Sequence, residues 1–259
     1  MSKSDKFTEE DRQIGVCPIC KGQVVSNYFY KMEDADTKDI SIWMKCRCGV
    51  VWNTEIPNDA TNIFDKKYVK ILMEDSQKHI DASMYAPRVF APIIEESTYG
   101  RKMLEVGYCT PFVMQAMSTR GWISFGIDIS KDAPTNERMI QGDFETYTFP
   151  KDLRFNLVWM GHVLENFEDP IGALEHAYEI LTEDGLIFIS TPDTDFIYTN
   201  DKTGFCHWRG KENYIMWSRP ALENKLREMG FDILVSKRNY EKRFTNWDNM
   251  FIVAQKKVY

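Results

Sequence analysis

The chain has 259 residues, of which 43% are hydrophobic and 27% charged. That is room for one large domain, or a domain and a small module, and it is too apolar for a disordered chain. Its 32 basic and 39 acidic residues give a net charge of −7, which argues against a protein whose main work is gripping nucleic acid, because phosphate contacts need a basic face. No apolar run approaches the roughly 20 residues that cross a bilayer, and Met1–Lys6 lacks the apolar core of a signal peptide, so a soluble, cytoplasmic, membrane-free protein is expected.

Residues 1–16 read as a polar tail and residues 17–56 as a unit. Four of the six cysteines fall there, as Cys17-Pro18-Ile19-Cys20 and Cys46-Arg47-Cys48-Gly49. Close pairs without a secretion signal read as metal ligands rather than disulfides. Between them lie strand-like stretches from Gln23 to Lys31 and from Asp39 to Lys45, an acidic turn at Glu33-Asp34-Ala35-Asp36, and then the apolar run Val50-Val51-Trp52. Two cysteine-bearing turns joined by hairpin strands describe a zinc ribbon. Cys17, Cys20, Cys46 and Cys48 would close one tetrahedral, structural Zn²⁺ site, although the second pair has one intervening residue where a ribbon turn usually has two. A segment of this size has too little core to fold alone, and a structural zinc, worth roughly 10–16 kcal/mol in small peptides, supplies what is missing.

Residues 57–100 read as a mostly helical linker, with helical spacing over Lys66–Glu74 and Ser76–Tyr85 broken by Pro87 and Pro92. From residue 101 to 259 strands and helices alternate. Strands are predicted at Lys102–Val106, Trp122–Ile129, Arg138–Gly142, Asn156–Met160, Leu186–Ser190, Ile233–Val235 and Met250–Ala254. Helices are predicted at Pro111–Arg120, Ile171–Leu181 (stopped by Asp184-Gly185) and Pro220–Met229 (stopped by Gly230). Alternation of this kind implies an α/β fold, a mainly parallel sheet covered by helices on both faces, which binds ligands at the carboxyl ends of its strands.

Those ends carry the chemistry. The first strand ends Leu104-Glu105-Val106-Gly107-Tyr108-Cys109-Thr110-Pro111, the second Gly126-Ile127-Asp128-Ile129, the third Gly142-Asp143-Phe144 and the fourth Trp159-Met160-Gly161-His162. A carboxylate at the end of the second strand is where ribose hydroxyls are accepted in dinucleotide-type sites. The series resembles the class I S-adenosylmethionine-dependent methyltransferases over roughly residues 100–257, and most of all their small-molecule type. That type carries Leu-Glu-x-Gly-x-Gly-x-Gly after the first strand and Leu-Glu-His-x-x-Asp-Pro after the fourth; here the latter is Leu164-Glu165-Asn166-Phe167-Glu168-Asp169-Pro170. Glu183–Asp193 resembles the family's turn and fifth strand, and Trp208–Ser218 its substrate loop. Some members with an N-terminal four-cysteine zinc module modify deoxysugars or sugar nucleotides.

The resemblance implies a Rossmann-like, seven-stranded, mostly parallel sheet and a set of roles. Gly107 would let the backbone approach the methionine part of S-adenosylmethionine. The loop from Tyr108 to Pro111 would offer the amides of Tyr108, Cys109 and Thr110 to its carboxylate, the one at Pro111 being lost. Glu105 would hold its amino group, Asp128 and Ile129 would border the ribose, Asp143 and Phe144 would address the adenine, and Met160 and Gly161 would line the floor near the sulfonium. Cys109 and Pro111 replace the family's second and third glycines. A left-handed backbone at Cys109 costs about 1–2 kcal/mol, whereas Pro111 suits a first helical turn.

Alignment does much of the work in an in-line methyl displacement, and a general base assists where the nucleophile is a hydroxyl. Among four histidines, His162 just after the fourth strand is the first candidate base, and His207, in the aromatic loop Phe205–Trp208, the second. Glu212 follows as a group able to bind or deprotonate substrate. The expected reaction is O-methylation of a small molecule such as a sugar or sugar nucleotide. Two other readings stand beside it: a ribosomal RNA methyltransferase with a zinc module, which the acidic balance opposes, and a methyltransferase-fold binding protein that has lost catalysis. Oligomeric state is not readable.

Overall fold

A computed structural model describes residues 15–22, 29–33, 39–54, 70, 76–195, 209–238 and 249–258. Most of the polar tail, the acidic turn beyond Glu33, the helical stretch Lys66–Glu74 apart from Lys70, and the loop carrying Cys206 and His207 lie outside these residues.

The chain order is β1 (Phe29–Glu33), β2 (Ile40–Lys45), β3 (Val51–Asn53), α1 (Ser76–Ser97), β4 (Lys102–Val106), α2 (Phe112–Ser118), β5 (Ile123–Asp128), β6 (Met139–Gln141), β7 (Phe155–Gly161), a 3₁₀ turn (Leu164–Asn166), α3 (Pro170–Ile180), β8 (Leu181–Pro192), β9 (Ile215–Met216), α4 (Arg219–Glu228), β10 (Phe231–Arg238) and β11 (Asn249–Lys256). Seven strands form one sheet in the order β10-β11-β8-β7-β4-β5-β6. The pairs from β8 through β6 are parallel, and β11 runs antiparallel to both β8 and β10.

Strand residues alternate between two buried layers, as the two-residue period of a strand demands. Leu104, Val106, Val158, Met160, Ile187 and Ile189 face a core closed by Ala173, Leu174 and Ala177 of α3 and by Leu222 and Leu226 of α4. Met103, Leu157, Trp159, Phe188 and Val253 face the opposite core, closed by Phe90, Ala91 and Ile94 of α1 and by Val113 and Met117 of α2. Helices therefore cover both faces, as expected.

Three expectations change. Helix α1 runs unbroken through Pro87 and Pro92. An interior proline costs about 3 kcal/mol, and the apolar face of Phe90, Ala91 and Ile94 against the sheet offsets it. Second, the Asp184-Gly185 turn does not separate α3 from a later strand. β8 starts at Leu181, and the pair falls where the β7–β8 register shifts between Phe155–Leu181 and Leu157–Leu186. Third, Ile215–Met216 is a strand, and it belongs to the other sheet.

That second sheet has the order β1-β2-β3-β9. The N-terminal hairpin strands supply three members, and β9 closes the set with the pairs Val51–Met216 and Trp52–Ile215. The seam is continued by the Asn53 amide donating to the Tyr214 carbonyl (2.9 Å) and by the Asn53 side chain donating to the Gly210 carbonyl (2.7 Å). At its edge Gly49 has φ +96, and a Cβ there would fall 2.1 Å from Ser218 Oγ, so both its conformation and its neighbour require glycine. Cys17, Met44, Cys46, Val50 and Trp52 share one buried cluster with Trp217, Leu222 and Leu226. The cysteine-bearing segment is thus packed directly on the α/β domain.

Candidate active site

The β4–α2 loop is shaped by its backbone. Gly107 adopts φ +69, its amide donates to the Ile127 carbonyl (2.8 Å), and a Cβ on it would sit 2.9 Å from Val163 Cγ2. Cys109 takes φ 39, the left-handed position expected of the replaced glycine. Its amide donates to Asp128 Oδ2 (2.7 Å), and the Ser130 amide donates to Oδ1 (2.7 Å). Asp128 thereby joins the ends of β4 and β5. Burial pushes its carboxyl up, and the two amides oppose that rise. Thr110 is buried and Ile129 half-buried beside this junction.

Tyr108 also anchors the loop through its side chain. Its ring is buried with Met114, Ala133 and Met139, its hydroxyl donates to the Pro134 carbonyl (2.6 Å), and it covers Gly126, where a Cβ would lie 2.5 Å from the ring. Burial raises its phenol, and it raises the Cys109 thiol to about 12, which makes Cys109 a poor nucleophile.

Glu105 is fully enclosed. Its carboxyl accepts from the Met114 backbone, and burial, then the nearby Asp128 charge, holds it well above the usual carboxylate range. Its Oε2 has no partner. A buried acceptor without a donor costs about 1–3 kcal/mol. An ammonium group placed against it satisfies the oxygen and favours the ionised form, so the residue fits the amino end of an amino-acid-like ligand.

Asp143 and Phe144 stand apart from this pair. Asp143 Oδ1 accepts from the Glu145 amide and Oδ2 from the Thr146 hydroxyl. Phe144 is buried in an aromatic cluster, stacked on His176 at 4.7 Å and near Phe149 and Phe167. Met160 is buried in the sheet core, and Gly161 pairs with Ser190.

His162 follows directly, with φ 54. It is adjacent in sequence to Val163, which abuts Gly107, so it belongs to the same rim. Its backbone amide donates to the Ser190 carbonyl (2.7 Å). Its Nδ1 lies 3.1 Å from Glu165 Oε1 and its Nε2 lies 2.8 Å from Asn249 Nδ2. Thr191 Oγ1 donates to Glu165 Oε2 (2.9 Å). Glu165 appears in the sequence only as a motif match, while Thr191 and Asn249 carry no local signal; the pair Asn249–Pro192 across β11 and β8 brings Asn249 in. Glu212, by contrast, holds Arg209 (3.2 Å) in the turn before β9.

On the other side of the rim the four cysteine sulfurs lie within 4.8 Å of one another. Cys17 and Cys48 are 3.7 Å apart and Cys20 and Cys46 3.4 Å. Tetrahedral Zn²⁺ with Zn–S near 2.3 Å places its sulfurs about 3.8 Å apart, so the donor set fits that ion. The single-residue spacing is accommodated by a turn in which the Gly49 amide donates to the Cys46 carbonyl and the Cys46 amide to Val50. The hydrogen bond from Cys17 lowers the Cys48 thiol to about 5, the same contact raises Cys17, and burial raises Cys46 to about 11.

Comparison with known proteins places this geometry. A family model described as a methyltransferase domain matches residues 77–236. No curated protein matches the chain. Three solved structures share its fold at low identity. A chain of the complex between the Haloferax volcanii Trm112 methyltransferase activator and a methyltransferase has TM-score 0.57 and 14% identity, covering 78% of this chain and 99% of its own. The Burkholderia thailandensis 1,6-didemethyltoxoflavin N1-methyltransferase, with its substrate and S-adenosylhomocysteine bound, has TM-score 0.53 and 14% identity, covering 89% and 100%. The magnesium protoporphyrin IX methyltransferase of Synechocystis PCC 6803, also with S-adenosylhomocysteine, has TM-score 0.53 and 13% identity, covering 69% and 85%. The matched span runs from α1 through most of β10 and contains the whole Gly107–Asp128 junction; this chain belongs to the methyltransferase domain family.

Proposed function

We propose that this protein is an S-adenosylmethionine-dependent methyltransferase that transfers to a hydroxyl of a small molecule, with one structural Zn²⁺ on Cys17, Cys20, Cys46 and Cys48. The observation that carries the reading is the buried, unpartnered Glu105 Oε2 beside a Gly107 loop that only glycine fits. In this reading Glu105 receives the amino group, the loop Gly107–Thr110 the carboxylate end, and Asp128 with Ile129 the ribose. Asp143 borders the adenine side, with Phe144 packing behind it, while Met160 and Gly161 form the floor. The bound cosubstrate supplies a methyl group on an electrophilic sulfonium.

His162 is the base in this reading. It stands at the rim with 34% of its side chain exposed, within one residue of the contact to Gly107. Glu212 borders the acceptor side, and His207 stays the second candidate base on its sequence alone. The net charge of −7 favours a small acceptor over RNA, and two of the structural relatives act, by name, on a porphyrin and on a toxoflavin precursor. The test is transfer of a labelled methyl group to a panel of hydroxylated small molecules, sugars and sugar nucleotides included, against ribosomal RNA. Label in a hydroxyl compound is expected; label in RNA alone would overturn the acceptor class.

A further inference from the structure

The far end of the same rim carries a group of charges that cosubstrate binding leaves unused. Gly161 pairs with Ser190, Thr191 with Met250, and Met250 with Arg238. Arg238 therefore ends β10 at the carboxyl ends of β7 and β8, and three strand spacings put its backbone roughly 14 Å from that of His162. Beside it a cavity of about 310 Å³ opens between the start of α4 and the end of β10, lined by Arg219, Ser236, Lys237 and Arg238. That is the lower range of small-ligand pockets. The three cations are held differently. Arg238 is fixed by the carboxylates of Asp193 and Asp195. Arg219 is held loosely: Nη1 reaches Glu223 Oε1 at 3.3 Å and Ser236 Oγ at 3.4 Å, while Glu223 takes shorter bonds from Ser236 (2.5 Å) and Arg227 (3.0 Å). Arg219 Nε is buried without a partner, which is costly for a donor on a charged group. Lys237 is exposed and makes no ion pair among the described residues. With Arg227, four cations meet the three carboxylates of Asp193, Asp195 and Glu223, so the local balance is positive in a chain of net charge −7.

We propose that this cavity binds a phosphate group, and that the methyl acceptor is a small molecule carrying a phosphate or diphosphate. Arg219 takes two oxygens through Nε and an Nη, the fork geometry in which a guanidinium holds phosphate. Lys237 neutralises a further charge, and Arg238, anchored by its carboxylates, is the fixed wall. A single carboxylate would satisfy Arg219 alone, whereas a fork and a separate ammonium suit an anion of more than one charge. A nucleic-acid backbone needs a run of cations, and this cluster stands in an acidic chain. The offset from His162, less the reach of the side chains, leaves room for a ring-sized group between the anion and the transferred methyl. The phosphate then marks the non-reacting end of the acceptor, and its binding holds the reacting hydroxyl in line. The link to the acceptor rests on the methyltransferase reading; the anion site does not.

The test is ¹⁵N spectroscopy of the full, metal-loaded chain labelled in its arginine side chains, with Arg219 assigned by Arg219→Gln, during titration with inorganic pyrophosphate at constant ionic strength. Saturable movement of the Arg219 Nε–H resonance is expected. Pyrophosphate affinity by calorimetry should fall about 10- to 100-fold in Arg219→Gln, which loses the charged fork, and up to about 5-fold in Lys237→Ala, whose exposed charge acts through solvent; that exposure also keeps the second variant folded. A resonance that does not move, or one affinity shared by the wild type and both variants, overturns the site. A short ribosomal RNA fragment that displaces pyrophosphate at equal phosphate concentration overturns the small acceptor, and failure to displace it supports one. S-adenosylhomocysteine titrated into the same samples separates the two claims. Its binding without pyrophosphate binding sinks the anion site alone, and pyrophosphate binding without it sinks the methyltransferase reading and the link to an acceptor.

Discussion

The two sides of the rim are built in different ways. The side proposed for the cofactor is contiguous: Glu105 through Pro111 is one strand end and its loop, and Asp128 ties it down through the Cys109 amide. The side proposed for the acceptor is assembled from five separated pieces. The Cys46–Gly49 turn meets Thr194 and Ser218, β3 meets β9, Tyr214 meets Glu165, and Asn249 meets His162. A local loop can bind a cosubstrate whatever surrounds it, whereas a wall of five pieces depends on what clamps them. With a zinc bound, the cysteine cluster, whose own turn carries β3 and therefore β9, would be that clamp.

The largest effect should break the clamp. Removing the metal, or replacing Cys46 and Cys48 by Ser, withdraws a contribution of about 10–16 kcal/mol in small zinc peptides. Hydrogen exchange should then lose protection at the Asn53 and Tyr214 amides, which hold β9 to β3 and to Glu165, while metal analysis of the untreated chain returns one zinc. Protection that survives stripping would show that the acceptor wall stands without the cluster. Next comes Asp128→Ala, which removes two amide acceptors and the ribose partner. S-adenosylhomocysteine affinity should fall about 100-fold, with the metal content unchanged, and an undiminished affinity would place the cosubstrate elsewhere.

A smaller effect sharpens the role of Glu105. Its folded carboxyl is held above the ordinary 4.5 by burial, so the folded state keeps a proton that the unfolded chain releases. Stability of the ligand-free protein should therefore fall as pH rises from about 4.5, by about 1.4 kcal/mol for each unit between the two pKa values. Glu105→Gln should flatten that slope in melting curves taken across pH, and a slope that persists would mean another group titrates. The smallest is Ser218→Ala. Ser218 caps α4 through the Ala221 amide and donates to the Cys48 carbonyl, so the variant should lose about 1 kcal/mol in denaturant unfolding and bind S-adenosylhomocysteine normally.

The same contrast explains what was legible in the sequence. The strand ends Glu105-Val106-Gly107 and Ile127-Asp128, and the cysteine pairs, are local patterns, and each falls at the place in the fold that its pattern implies. The left-handed Cys109 follows from the glycine it replaces. Two local signals were overridden by packing. The prolines of α1 lie in a helix held by Phe90 and Ile94, and Asp184-Gly185 loops out of a strand instead of preceding it. Phe144 reads as a rim residue because it follows a strand end, yet its ring turns into the core against His176. The His162 cluster was only half visible: the histidine stands at a strand end, but Thr191 and Asn249 reach it through long-range pairing, which no local periodicity encodes. β9 escaped for the same reason, since a two-residue strand has no period of its own and exists because β3 offers it an edge.

The central claim is that the Gly107 loop, with Glu105 behind it and Asp128 across it, binds S-adenosylmethionine. Calorimetric titration of the metal-loaded full chain with S-adenosylhomocysteine tests it most directly. The account requires saturable one-to-one binding, and folded protein that takes up no ligand would contradict it.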